Sequence, residues 1–224
     1  IQNPPVRFRR AKGMLALPLP QSPGELHFLR DFLNLSDEET WILILSWLIG
    51  CFRPKGPYPI LVLQGEQGSG KSTTARILRS LIDPNAADIR GTPREERDLV
   101  ISANNSWILA FDNLSGIPIW LSDALCRIAT GAGFSTRTLY SDKEETIFCL
   151  SRPIVCTSID DLVNRHDFLD RAILVNLPPI SEARRRDEAT LGEEFERAKP
   201  YILAGILNVV SCGLRNWENT KLFR

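Results

Sequence analysis

The stretch Gly65-Glu66-Gln67-Gly68-Ser69-Gly70-Lys71-Ser72 constrains this chain more than any other. It matches G-x-x-x-x-G-K-[ST] in full, and its flanks agree with it. Ile60, Leu61, Val62 and Leu63 precede the loop as an apolar run and predict a buried strand. Residues 72–81 follow with helical spacing, which puts Ile77, Leu78, Leu81 and Ile82 on one face. Glycines let backbone N–H groups turn inward around phosphate oxygens. Lys71 supplies charge to the β- and γ-phosphates, and the Ser72 hydroxyl is placed to ligate Mg²⁺. The positive end of the helix dipole points at the same anion. Residues 65–73, ending at Thr73, are therefore the expected nucleotide segment, with ATP and Mg²⁺ as the expected ligands. A glycine-rich turn with a surface lysine leaves the flanking strand and helix unexplained.

A phosphate loop of this kind needs a carboxylate on a neighbouring strand to share the Mg²⁺. Residues 107–111 form a second apolar run that ends in Asp112, 41 residues after Lys71. Asp112 closes that strand and is the expected partner of Ser72 at the metal. Asn113 follows, where a base would serve to activate water. An asparagine orients water but accepts no proton, so Asp123 and Glu66 are the alternative carboxylates. Thr157 follows an apolar run at 153–156 and is placed to touch the γ-phosphate or the water; a plain strand-ending threonine is the other reading. Arg171, just before the run 172–177, is the candidate arginine finger. Arg165 competes with it, and a surface ion pair with Asp167 or Asp170 is the plain alternative.

At 224 residues the chain suits one sizeable domain. Its 27 basic and 27 acidic residues cancel, which excludes a protein that coats nucleic acid by global charge and leaves room for a local basic channel. Only six of the basic residues are lysine, and arginine suits fork-like pairing with phosphate and carboxylate. The five cysteines have no C-x-x-C spacing and lie in apolar stretches, which predicts buried thiols in a reducing, cytoplasmic setting. His27 and His166 have no metal-ligand spacing. No apolar stretch is long enough to cross a bilayer. The chain begins at Ile1 rather than methionine, which points to a piece of a longer polypeptide.

Along the chain, residues 1–35 are expected to be an extended arm or linker, 36–180 the core with a preceding helix, and 181–224 a helical lid. Ser36 and Glu39 have capping-box spacing and predict that helix's start. Residues 83–93 are polar, with at most a short strand. Helices are expected at 94–104 and 118–130. Residues 134–150 alternate around a charged tip and predict a β-hairpin. It carries Arg137 on one arm, Lys143 at the tip and Tyr140 between them. Such a hairpin suits single-stranded nucleic acid, although Glu144 and Glu145 dilute its charge and favour an ordinary solvated hairpin. Arg184, Arg185 and Arg186 either sense a nucleotide from above or, for at least two of them, are solvated. The tail reads as two helices broken near Pro200. Apolar strands alternating with helices predict an α/β fold with a mainly parallel sheet between helices.

The order of these parts resembles the AAA+ helicase-like ATPase domain of phage and mobile-element primase–helicases, related to superfamily-three helicases. The resemblance rests on residues 65–73, on Trp107-Ile-Leu-Ala-Phe-Asp-Asn113, on residues 125–140 with their Thr-Gly-x-Gly and Arg-x-Leu-Tyr pattern, on Arg152-Pro-Ile-Val-Cys-Thr157 and on Leu169-Asp-Arg171. It covers residues 36–216. It implies a P-loop ATPase core with a hairpin insertion and a small helical lid, a homo-oligomeric ring (usually a hexamer), ATP between subunits and single-stranded nucleic acid in the pore. It also implies that 134–150 is the pore hairpin, with Arg137 and Lys143 on the strand. Three features depart from the family pattern: Thr157 stands where asparagine is common, Asn113 where an acidic residue is frequent, and no primase motif is present. The expected activity is ATP-driven movement on, or remodelling of, nucleic acid in replication. The alternative is a regulatory ATP switch that hydrolyses little.

Overall fold

The computed structural model describes residues 10–114, 116–132, 134–137, 145–148, 150–159 and 166–219. Four parallel strands form its sheet in the order β2-β5-β1-β6, with β1 Ile60–Gln64, β2 Leu109–Phe111, β5 Ile154–Ser158 and β6 Ala172–Asn176. Every residue of β1 and β5 is buried, as expected of central strands covered on both faces. The period of two sorts β1 between two apolar layers. Leu61 and Leu63 face helices α1 (Glu38–Gly50), α2 (Lys71–Ser80) and α6 (Glu188–Asn216) through Trp47, Leu78 and Ile202. Ile60 and Val62 face α3 (Glu96–Asn105) and α4 (Ile119–Thr130) through Leu99 and Leu125. The register aligns Leu63 with Thr157, and Phe111 with Cys156, so the loops after β1, β2 and β5 gather at one edge of the sheet.

Several local expectations are corrected. The cap of α1 is Asp37, not Ser36: its carboxylate accepts from the Thr40 N–H at 2.8 Å, while the Ser36 hydroxyl donates to Asp37. That backbone bond is the first cause holding the Asp37 carboxyl below its ordinary pKa. Strand β2 starts two residues later than expected, because Trp107 and Ile108 donate their N–H groups to the Asp83 carboxylate at 2.9 and 3.0 Å instead. Beyond β2, Arg90 adds a single parallel bridge to Phe111. Strand β5 runs on through Ser158, which puts Thr157 inside the strand and buries it.

The tail is one helix. Pro200 removes a backbone donor inside α6 at a typical cost of about 3 kcal/mol, yet Phe195, Ile202, Leu203 and Ile206 anchor the helix to the core on both sides of it. The segment before α1 explains part of this. Gln21 and Glu25 donate their N–H groups to the Pro200 and Tyr201 carbonyls at 3.1 and 3.0 Å. This segment is not an extended arm throughout, since Leu26–Phe32 forms a 3-10 helix against α6. The two backbones meet at paired glycines: a Cβ on Gly24 would lie 2.6 Å from the Gly205 nitrogen.

Strands β3 (Phe134–Arg137) and β4 (Glu145–Phe148) pair antiparallel, with Arg137 opposite Glu145. This is the expected hairpin; its tip, with Tyr140 and Lys143, lies outside the described residues. The short α5 (His166–Leu169) leads into β6. Cys51 and Cys156 are buried, and burial pushes the Cys156 thiol up to about 12. Cys212 is exposed on the outer end of α6, contrary to expectation. Among the described residues no helix is long and apolar enough to cross a membrane.

Candidate nucleotide-binding site

The loop after β1 has the backbone that its glycines predict. Gly65, Gly68 and Gly70 all have positive φ, and a Cβ on Gly65 would lie 2.5 Å from the Leu177 carbonyl oxygen. Only a residue without a side chain passes there. Lys71 is 9% exposed and folds back over the loop, donating to the carbonyls of Gly65 and Glu66, both at 2.7 Å. Burial lowers its pKa, and the charge of Asp112 partly restores it.

Three side chains converge beside Lys71. The Ser72 hydroxyl donates to Asp112 Oδ1 at 2.7 Å, and the Thr157 hydroxyl donates to the same oxygen at 2.6 Å. Thr157 in turn accepts the Asn113 backbone N–H at 2.9 Å. Asn113 adopts φ of 50°, a left-handed turn that asparagine tolerates better than most residues. The chain therefore reverses right after Asp112, which leaves that carboxylate at the mouth of the sheet. Ser72 and Asp112 are hard oxygen donors held together at the edge of an open cleft, and they fit a Mg²⁺ ion, which takes such ligands and keeps waters besides.

The cleft above them has a volume of about 850 Å³. Its floor is Gly68, Gly70, Lys71, Ser72 and Thr73, together with Asp112, Asn113 and Thr157. Glu66 and Asp123, the alternative carboxylates, are not in its lining; among the described residues the lining carboxylates besides Asp112 are Asp31 and Glu188. Of the far wall, the sequence points only to the three lid arginines, as one of two readings. That wall consists of Asp31, Phe32, Leu33 and Asn34 from the segment before α1, and of Ile180, Leu191 and the three arginines from the start of the lid. Arg184, Arg185 and Arg186 are exposed, as a solvated reading requires, yet all three border the cleft. Arg185 reaches over the loop, its guanidinium 3.2 Å from where a Gly68 Cβ would stand. Arg186 pairs with Glu194 and donates to the Asp31 carbonyl at 3.1 Å.

Arg171 lies elsewhere. Strand β6 pairs with β1 in parallel, Ala172 opposite Ile60, so Arg171 stands at the end of the sheet remote from the loop, about 20 Å away along the strand. Among the described residues its guanidinium donates to the Asp167 carbonyl at 2.6 Å rather than to a carboxylate. Arg165, the competing finger, lies outside the described residues, as does Lys143.

Sheet order, phosphate loop and the carboxylate after β2 define a P-loop fold of the AAA+ kind. A family model described as actinomycete integrative conjugative element replication protein matches residues 26–218, and the chain belongs to that family. No curated protein matches it. Among solved structures it is similar to the apo C-terminal region of NrS-1: one form has TM-score 0.59 and 16% identity over 88% of this chain and 49% of the other. A second apo structure of that region, residues 305–718, has TM-score 0.59 and 13% identity over 89% of this chain and 49% of the other. The chain thus spans about half the length of the structures it matches, and at this identity the likeness speaks for the fold alone.

Proposed function

We propose that this chain is the ATP-hydrolysing motor part of a replication protein, acting on single-stranded nucleic acid as a ring of identical subunits. The observation that carries the reading is the convergence of Ser72, Asp112 and Thr157 beside Lys71 under an open cleft. In this reading the loop N–H groups take the phosphates, and Lys71 exchanges its two carbonyl partners for phosphate oxygens. Ser72 and Asp112 hold Mg²⁺, which supplies positive charge to the phosphates when bound. Thr157 fixes the rotamer of Asp112 and the backbone of Asn113, whose amide then orients water. Arg185 covers the phosphates from the lid. Arg171 is too far from its own loop to serve it, which fits a residue given to a neighbouring subunit's nucleotide. Arg137 and Lys143 on the hairpin would meet nucleic-acid phosphates.

The test is ATP hydrolysis in the assembled protein with and without single-stranded DNA. The expected result is Mg²⁺-dependent turnover that single strands stimulate and that Arg171→Ala abolishes while ATP binding persists. Turnover that ignores nucleic acid overturns the motor reading. One observation favours a regulatory switch instead: Asn113 stands where a proton acceptor would help, and neither Glu66 nor Asp123 lines the cleft in its place. ATP-dependent assembly with negligible hydrolysis would decide for that switch.

A further inference from the structure

Asn34 sits between the 3-10 helix Leu26–Phe32 and α1, far from the loop in sequence. Its side-chain amide donates twice, to the Ser69 carbonyl at 3.0 Å and to the Pro178 carbonyl at 2.5 Å. Both partners are acceptors, so the NH₂ group must face them. We propose that Asn34 is a positioning residue for the phosphate loop, acting through the Ser69–Gly70 peptide; the proposal rests on the nucleotide-binding reading above.

The peptide plane gives the reason. In a trans peptide the C=O and the following N–H point in opposite directions. Drawing the Ser69 carbonyl towards Asn34 therefore fixes the opposite direction for the Gly70 N–H, one of the loop groups that would meet a phosphate oxygen. Gly70 has φ of 83° and no Cβ, so its neighbouring peptide planes rotate easily, and something must hold them. Asn34 is packed for that task, its Cβ 3.9 Å from where a Gly70 Cβ would stand, with Ile180 at 3.4 Å from the same point.

The second bond extends the effect. Pro178 follows Leu177, whose N–H bonds to the Gln64 carbonyl at 2.8 Å, and leads into the lid. The residues before Asn34 are fixed to the lid: Phe32 meets Phe195 of α6 edge-to-face at 5.3 Å, and Asp31 accepts from Arg186, just before α6. One amide thus fastens the loop to the root and the flank of the lid. Loss of the clasp should weaken triphosphate binding specifically and leave nucleoside contacts alone.

The experiment compares calorimetric binding of ATP and of adenosine by wild type, Asn34→Asp, Asn34→Ala and Lys71→Ala, with melting temperatures for each. Asn34→Asp keeps the shape, loses both donors and sets a carboxylate against two carbonyls. The expected result is ATP affinity about 10-fold weaker in Asn34→Asp and a smaller loss in Asn34→Ala, the magnitude of one or two net hydrogen bonds. Adenosine affinity should change less than about 2-fold. If Asn34→Asp does not fold, Asn34→Ala decides alone. Equal losses for ATP and adenosine, or none, overturn the positioning role while a Lys71-dependent ATP affinity leaves the phosphate-loop reading standing. An ATP affinity indifferent to Lys71→Ala overturns both.

Discussion

Two buried cations stand on α2, Lys71 at its first residue and Arg79 near its last, and the chain surrounds them differently. Lys71 is held by carbonyls of the very loop it crosses and faces the cleft. Arg79, 1% exposed, donates to the carbonyls of Ala87 and Asp88 at 2.6 and 2.9 Å, and lies 3.6 Å from the Asp83 carboxylate. Burial pushes the Arg79 pKa down, and Asp83 pulls it back. That carboxylate in turn takes the N–H groups of Trp107 and Ile108, just before β2. A cation kept for the fold is closed in by groups that are themselves fixed by the fold. A cation kept for a ligand rests on temporary partners that an incoming anion can replace.

Mutations at the two ends of α2 should therefore part company. The largest effect belongs to Arg79→Ala, which leaves Asp83 buried without its counter-charge. Urea denaturation should show a loss of about 3–5 kcal/mol, typical of a broken buried pair. Lys71→Ala should lower ATP affinity by about 100-fold, near 2.7 kcal/mol at the usual tenfold per 1.4 kcal/mol. Its denaturation midpoint should stay close to wild type, because a desolvated charge goes with its bonds. Equal destabilisation by the two substitutions would erase the contrast. Smaller still is Thr157→Val, which removes one hydroxyl between Asp112 and Asn113. Stability should fall by about 1 kcal/mol, and steady-state hydrolysis should drop while ATP binding holds. Unchanged hydrolysis would make Thr157 a strand residue and no more.

Much of the site was legible because its parts are contiguous or end-of-strand residues. The loop, Lys71, Ser72 and Asp112 follow from a motif and two apolar runs. Thr157 was read as lying past its strand; the strand is longer, and its hydroxyl works sideways onto Asp112. The part of the far wall that comes from the segment before α1 was not legible. Asn34 is 35 residues from Ser69 and 144 from Pro178, and nothing local marks its amide as spoken for. Arg152 taught the reverse lesson. Its Arg-Pro pair carried part of the resemblance, yet its guanidinium bonds the carbonyls of Ala103 and Ser106 at 2.9 and 3.0 Å and lies over the Trp107 ring. It closes the end of α3, away from the cleft.

The sequence by itself determined the alternation of buried strands and amphipathic helices, the phosphate loop and the acidic residue after β2, because each is written in neighbouring residues through a period of two, a period of 3.6 or a run of glycines. Only the tertiary structure decided that Pro200 sits inside one continuous helix, that the segment before α1 walls the cleft, and that Asp112 serves two hydroxyls at once. Each of these depends on groups that meet only when the chain closes on itself. Packing on both sides of Pro200 outweighs its missing hydrogen bond, and two paired glycines let backbones touch that the sequence holds far apart.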